Sequence, residues 1–126
     1  MTVRELVGGE VIWVSPEVTI RVAAALMKSN GVGSLAVEVD GALEGIFTER
    51  DLVDAVAGDA DLDQTRVEQW MTASPDSIDP DMSVPEAANW MLASGYRHIP
   101  VVDGARILGM VSIKDILWAM SEPSPL

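Results

Sequence analysis

Gly45-Ile-Phe-Thr-Glu-Arg-Asp51 returns, with its glycine, hydroxyl residue and aspartate in place, as Gly109-Met-Val-Ser-Ile-Lys-Asp115, 64 positions farther along the chain. Working outward, the same offset lays Val14-Ser-Pro-Glu-Val-Thr-Ile20 on Ile78-Asp-Pro-Asp-Met-Ser-Val84. It also lays Ala23-Ala24 on Ala87-Ala88, Met27 on Met91 and Gly31 on Gly95. The opening Val3–Val7 matches Val67–Met71 in pattern. Only the Val-Asp-Gly turns, Val39–Gly41 and Val102–Gly104, are out of step by one residue, and a hairpin turn is where an insertion is tolerated. One offset held over roughly fifty residues marks an internal duplication.

Each copy carries the same local signals. A short helix near Val3–Val7 or Val67–Met71 is predicted after a T-x-x-E capping box, Thr2/Glu5 and Thr65/Glu68. An extended segment through Val14 or Ile78 then stops at proline. The next helix starts at Thr19 or at the Ser83/Glu86 box and ends at Gly31 or Gly95. Two β-branched strands flank the Asp-Gly turn, and a last helix starts at Thr48 or Ser112. The expected order is helix, strand, helix, strand, strand, helix, twice. Val32–Val39 and Ile99–Val102 are almost unbroken apolar runs, as expected of strands covered on both faces. A half with one three-stranded sheet cannot cover both faces, so the two halves are expected to pack together. The expected boundaries are residues 1–58 for the first repeat, 59–66 for an acidic linker, 67–121 for the second repeat and 122–126 for a tail.

The bulk numbers narrow the function classes. At 126 residues and 48% hydrophobic content the chain supports one packed domain or two small halves sharing a core. Half that length alone buries too small a fraction of its surface to be comfortably stable. Eight basic against twenty acidic residues give a net charge of −12, which argues against nucleic acid and against an anionic membrane surface. No run approaches the roughly 20 apolar residues of a membrane span, and the opening MTVRELVGGE lacks the basic flank and apolar stretch of a signal peptide. A cytoplasmic location is expected. The absence of cysteine removes disulfides, thiolate chemistry and Cys-based zinc sites.

The repeated element has its own chemistry. A strand-to-helix turn gathers backbone N–H groups and the positive end of a helix at one spot, which suits a phosphate. Thr48 or Ser112 adds a hydroxyl there, and Asp51 or Asp115 supplies a carboxylate able to accept both hydroxyls of a ribose. The same [ST]-x-x-[DE] spacing is also a capping box, so the residues alone leave both readings open.

The G-h-h-[ST]-x-x-D element in two copies, Gly95-Tyr-Arg-His-Ile-Pro-Val-Val102, and the alternation of elements together resemble the CBS (cystathionine-β-synthase) domain; the pair resembles a Bateman module. The resemblance covers the chain as far as about Glu122. It implies an α/β (α+β) fold of two tandem α-β-α-β-β-α repeats packed with pseudo-two-fold symmetry. It further implies a regulatory module, not an enzyme, that binds an adenosine-containing ligand (AMP, ADP, ATP or S-adenosylmethionine) in clefts built from both repeats. Carried over by position, the first cleft takes Ile46, Thr48 and Asp51, faced by Pro75–Ile78, Arg97, His98 and Lys114. The second takes Met110, Ser112 and Asp115, faced by Val11–Val14, Gly33, Ser34 and Arg50. Gly33 and Ser34 stand where the other copy has Arg97 and His98, and Ala36 stands for Pro100, which sets the second cleft apart from the family's phosphate site.

No catalytic residue, catalytic cofactor or metal site is expected. His98 is the sole histidine, and nothing near it resembles a nucleophile elbow. Asp59, Asp61 and Asp63 resemble the start of a calcium loop, but Gln64 and Trp70 fill the positions that need glycine and glutamate, which leaves a solvated linker. Trp13, Trp70, Trp90 and Trp118 read as core or dimer-interface residues. Helical stretches rich in Ala, Met, Leu and Trp (Val22–Met27, Ala87–Leu92, Ile116–Met120) carry more apolar surface than a small sheet covers, so a homodimer is expected. The alternative reading is a ligand-free dimeric module that docks onto a partner enzyme or transporter.

Overall fold

The fold follows from a computed structural model that describes residues 1–7, 11–104 and 106–121. The expected tail, 122–126, lies outside the described residues. The chain forms two compact units: Val11–Pro75, and the described residues of Met1–Glu10 with Asp76–Leu126.

In the Val11–Pro75 unit, β1 (Trp13–Val14) runs parallel to β2 (Ser34–Val39), which pairs antiparallel with β3 (Ala42–Thr48). Asp40 and Gly41, with φ of 51° and 80°, form the two-residue turn between β2 and β3, a conformation that right-handed strand twist favours. Thr19 caps α1 (Ile20–Asn30), its side chain accepting from the Val22 N–H at 3.3 Å, and Gly31 ends the helix at φ 63°. Thr48 caps α2 (Glu49–Ala57). Ser34 through Val37 are all buried, as expected for a strand covered on both faces. Around them Val14, Ile20, Met27, Leu35, Phe47, Ala55 and Val67 form one core.

The other unit repeats this plan. Ile78 bridges in parallel to Val101 in β5 (His98–Asp103), which pairs antiparallel with β6 (Arg106–Ser112). Here α3 is Val84–Ser94, capped by Ser83 and ended by Gly95 at φ 77°, and α4 is Ile113–Ser121. Val3, Ile78, Val84, Met91, Ile99, Val101, Val111 and Ile116 close this core.

The sheets depart from the three strands expected of each half, and the second is two-stranded, β5 with β6. The first sheet is four-stranded, because Thr72–Ala73 (β4), from the opening of the second repeat, pairs antiparallel with Gly45–Ile46 of β3. More generally, the leading segment of each repeat packs with the other repeat. The Val67 N–H donates to Val18 C=O at 2.8 Å and Ile20 N–H to Thr65 C=O at 2.9 Å. Their counterparts 64 positions away are Val3 N–H to Met82 C=O at 2.9 Å and Val84 N–H to Met1 C=O at 3.0 Å. These bonds satisfy helix-start donors that have no partner inside the helix. They also bury Val67 and Val3 completely, about 1.5–3 kcal/mol each.

The Thr65/Glu68 capping box is not formed. The short 3-10 turn Val67–Gln69 starts one residue later, with the Gln69 side-chain Oε1 accepting from the Arg66 N–H at 2.9 Å. Thr65 spends its backbone on α1 instead. Thr2 likewise makes no side-chain cap on Val3–Glu5.

The acidic linker is pinned to α1. Arg21 forms an ion pair with Asp63, and its N–H donates to Leu62 C=O at 3.0 Å. The Arg21 guanidinium holds the exposed Asp63 carboxyl below its ordinary range. No group of three or more His, Cys, Asp or Glu able to hold a metal ion is found among the described residues.

Candidate functional site

The repeated element is a capping box. At the start of α2, the Asp51 N–H donates to Thr48 Oγ1 at 3.2 Å. In return, Asp51 Oδ2 accepts from the Thr48 N–H at 2.9 Å and from Thr48 Oγ1 at 3.1 Å. β3 delivers Thr48 to this point in extended conformation, with Ile46 and Phe47 buried behind it. Burial pushes the Asp51 carboxyl above its ordinary range, against the pull of the two Thr48 hydrogen bonds; nearby Asp54 adds to the rise and Arg50 opposes it. A half-buried carboxylate that binds its proton more tightly than in water is costly for the fold to keep.

The second copy is looser. The Asp115 N–H donates to Ser112 Oγ at 3.1 Å, but the returning bond, Ser112 N–H to Asp115 Oδ2, is 3.4 Å, and Asp115 is exposed. The duplication has kept the motif and changed its surroundings.

The predicted site residues divide evenly between the units. Val14, Gly33, Ser34, Ile46, Thr48, Arg50 and Asp51 lie in Val11–Pro75, and Ile78, Arg97, His98, Met110, Ser112, Lys114 and Asp115 lie in the other. Within a unit, each strand start abuts its own helix start. Ser34 stands opposite Thr48, and Glu49 N–H donates to Gly33 C=O at 3.1 Å. In the other unit His98 stands opposite Ser112, and Ile113 N–H donates to Arg97 C=O at 2.8 Å. Ser34 is buried, whereas Arg97, Arg50 and Lys114 are exposed. Val14, Ile46 and Ile78 are buried, and Ile78 is fixed by backbone bonds to Pro100 and Val102, both 3.0 Å.

Sequence reasoning missed a polar contact at the same strand start. Tyr96 Oη donates to Asp76 Oδ2 at 2.7 Å, and its ring stacks on Trp90 with centroids 5.4 Å apart and planes 10° from parallel. Donation to Asp76 raises the Tyr96 phenol above its ordinary range. The available signal was the repeat itself, since positions 12, 26 and 32 hold Ile, Leu and Val where the second copy has Asp76, Trp90 and Tyr96.

Two copies of one element order, each ending in the hydroxyl-and-aspartate box, match the family model of the CBS domain over residues 3–58 and again over 67–122. The chain belongs to the CBS domain family. It is 33% identical over 115 residues to the CBS domain-containing protein YhcV of Bacillus subtilis, covering 91% of this chain and 82% of that protein. It is similar in structure to the CBS-domain containing protein ATU1752 from Agrobacterium tumefaciens, with a TM-score of 0.88, 34% identity, and coverage of 95% of this chain and 99% of that one. The CBS domain pair of protein MJ0100, solved with 5′-methylthioadenosine and S-adenosyl-L-methionine, has a TM-score of 0.84 at 24% identity, covering 95% of each chain. At that identity the likeness is one of fold. Among the described residues of this CBS pair, no helix is long and apolar enough to cross a membrane.

Proposed function

We propose that this CBS pair is a cytoplasmic regulatory module that binds an adenosine-containing ligand, AMP, ADP, ATP or S-adenosylmethionine, and does no chemistry of its own. The half-buried Asp51 carboxylate carries the reading. Its two hydrogen bonds from Thr48 both use Oδ2, and in this reading Oδ1 takes a ribose hydroxyl. The two ligands in the MJ0100 structure share adenosine, which supports the ligand class.

In this reading Ile46, Thr48 and Asp51 take the nucleoside, and Ile78, Arg97, His98 and Lys114 face the phosphate. Met110, Ser112 and Asp115, with Val14, Gly33, Ser34 and Arg50, form the lesser site, short of cations at Gly33 and Ser34. A thermal-shift screen over adenine and guanine nucleotides and S-adenosylmethionine tests this directly. A ligand at 100 times its Kd adds about 2.7 kcal/mol to unfolding. Arg97→Ala is expected to weaken AMP binding by about tenfold, the low end for a charge-assisted bond because Arg97 is exposed. The reading fails if no adenosine compound shifts the midpoint, or if guanine nucleotides shift it equally.

The second proposal is a homodimer, with the same exposed helical residues serving an unidentified protein partner in the ligand-free alternative. Most of the large exposed apolar residues lie on helices: Leu92 at 65%, Leu117 at 50%, Trp118 at 70% and Met120 at 51% on α3 and α4 of one unit, and Val22, Val53 and Val56 on α1 and α2 of the other. Trp118 at that exposure is costly in water and ordinary at an interface. Sedimentation at micromolar concentration is expected to give twice 13.5 kDa, and Trp118→Glu to give the monomer. A parent that sediments as a monomer refutes it.

A further inference from the structure

We propose that Tyr96 and Asp76 form a clamp that positions Arg97, making the preference for phosphate-bearing ligands a property of the second repeat alone. The proposal rests on the adenosine reading above and concerns what selects among such ligands.

Three observations meet at one place. Tyr96 directly precedes Arg97 and directly follows Gly95, the left-handed residue that ends α3. Left to itself, a residue between a helix cap and a strand start is held only by its neighbours. Here the phenol is tied at 2.7 Å to Asp76, twenty positions earlier, while its ring lies flat on Trp90 of α3. The Arg97 carbonyl is fixed in turn by the first N–H of α4 at 2.8 Å. The Arg97 backbone is thus held from both sides, and its exposed side chain starts from a defined point. Ordering a long side chain costs entropy, and fixing its root beforehand reduces what a ligand must supply on binding.

The duplication supplies the control. In the first repeat the positions of Asp76, Trp90, Tyr96, Arg97 and His98 are Ile12, Leu26, Val32, Gly33 and Ser34. The clamp and the basic residues it borders are present together in one copy and absent together from the other. A tether needed only to hold the fold would be needed in both copies, since both make the same turn from a left-handed glycine into a strand.

Tyr96→Phe keeps the ring and removes the donor. Calorimetry at fixed salt is expected to show AMP and ATP binding three- to tenfold more weakly than to the parent, with adenosine within twofold. Asp76→Ala is expected to copy this, Asp76→Asn to stay near the parent because it keeps an acceptor oxygen, and Tyr96→Phe with Asp76→Ala to lose no more than either alone. Amide hydrogen exchange at Ile113, which reads the bond to Arg97, is expected to quicken severalfold in Tyr96→Phe, with the Ala87–Met91 amides unchanged. Equal losses for adenosine, AMP and ATP mean a merely structural tether and overturn the assignment, as does unchanged affinity for all three. If the parent binds none of the three, the adenosine reading falls and the phosphate preference with it; Ile113 exchange then decides the clamp by itself, and unchanged exchange removes it.

Discussion

A Gly45→Val variant is expected to unfold about 10 °C below the parent, a loss of about 3 kcal/mol, by thermal or denaturant unfolding. A Cβ at Gly45 would stand 2.6 Å from Met71 Sδ and 2.8 Å from the Thr72 carbonyl oxygen. The thioether can swing away. The carbonyl cannot, because Thr72 is part of β4 and pairs with Ile46 on the same strand as Gly45. The variant must therefore push β4 off the sheet or distort β3 just ahead of Thr48. Gly109 is in the equivalent position, where a Cβ would collide with the Val7 side chain. The glycine that opens each motif is thus explained by the close approach of a leading segment, with no ligand needed. A Gly45→Val protein that melts within about 2 °C of the parent would show that β4 does not lie against β3.

Asp51→Asn is expected to separate binding from stability. Loss of the carboxylate should weaken adenosine-ligand binding tenfold to a hundredfold, the range for charge-assisted hydrogen bonds. The fold should be as stable at neutral pH or more so, because the Asn oxygen still accepts from the Thr48 N–H. The pH dependence follows from the direction of the shift. Burial raises the Asp51 carboxyl in the folded state, so folding favours its protonated form. That contribution is complete below the unfolded value and is lost as pH rises through the folded one. At neutral pH the parent folds around a charge that burial disfavours and the Asn variant does not. The advantage of the variant should shrink as pH falls through the carboxylate range. Calorimetric titration with AMP and unfolding curves at several pH values measure both effects. A parent more stable than Asp51→Asn by over about 1 kcal/mol at pH 7, with unchanged affinity, would make Asp51 a helix cap and nothing else.

Local chemistry was legible in the sequence. Thr19 and Ser83 cap helices, Gly31 and Gly95 end them, and Asp40-Gly41 turns a hairpin, because each needs only its own neighbours. At Thr48/Asp51 and Ser112/Asp115 the capping box, one of the two readings their spacing leaves open, forms for the same reason. The unreadable parts are settled by distant chain. Thr65 and Glu68 spell a box, but the Thr65 carbonyl is taken by Ile20 and the turn slides one residue to Arg66 and Gln69. Nothing in T-x-x-E says which repeat its segment will pack on. Nor do the two motifs reveal that Asp51 is half-buried and Asp115 open, since burial belongs to whatever folds over them. Asp76 falls in the Pro75–Ile78 stretch and Tyr96 in the Gly95–Val102 segment, but nothing in either pairs the two until the fold brings them to 2.7 Å.

The crossed leading segments bear on how such a chain arises. The stretch that duplicates in sequence and the stretch that closes in space are out of phase: one compact unit is the contiguous Val11–Pro75, and the other is completed by residues from the far end of the chain. A single copy with this packing lacks the segment that covers its own helix start, and it closes in the same way only by exchanging leading segments with a second chain, as swapped dimers do. With both copies in one chain that exchange is internal, and dependence on protein concentration gives way to a covalent tether. Once joined, the copies no longer had to be identical. Arg97, His98, Tyr96, Trp90 and Asp76 could gather in one of them without burdening the other.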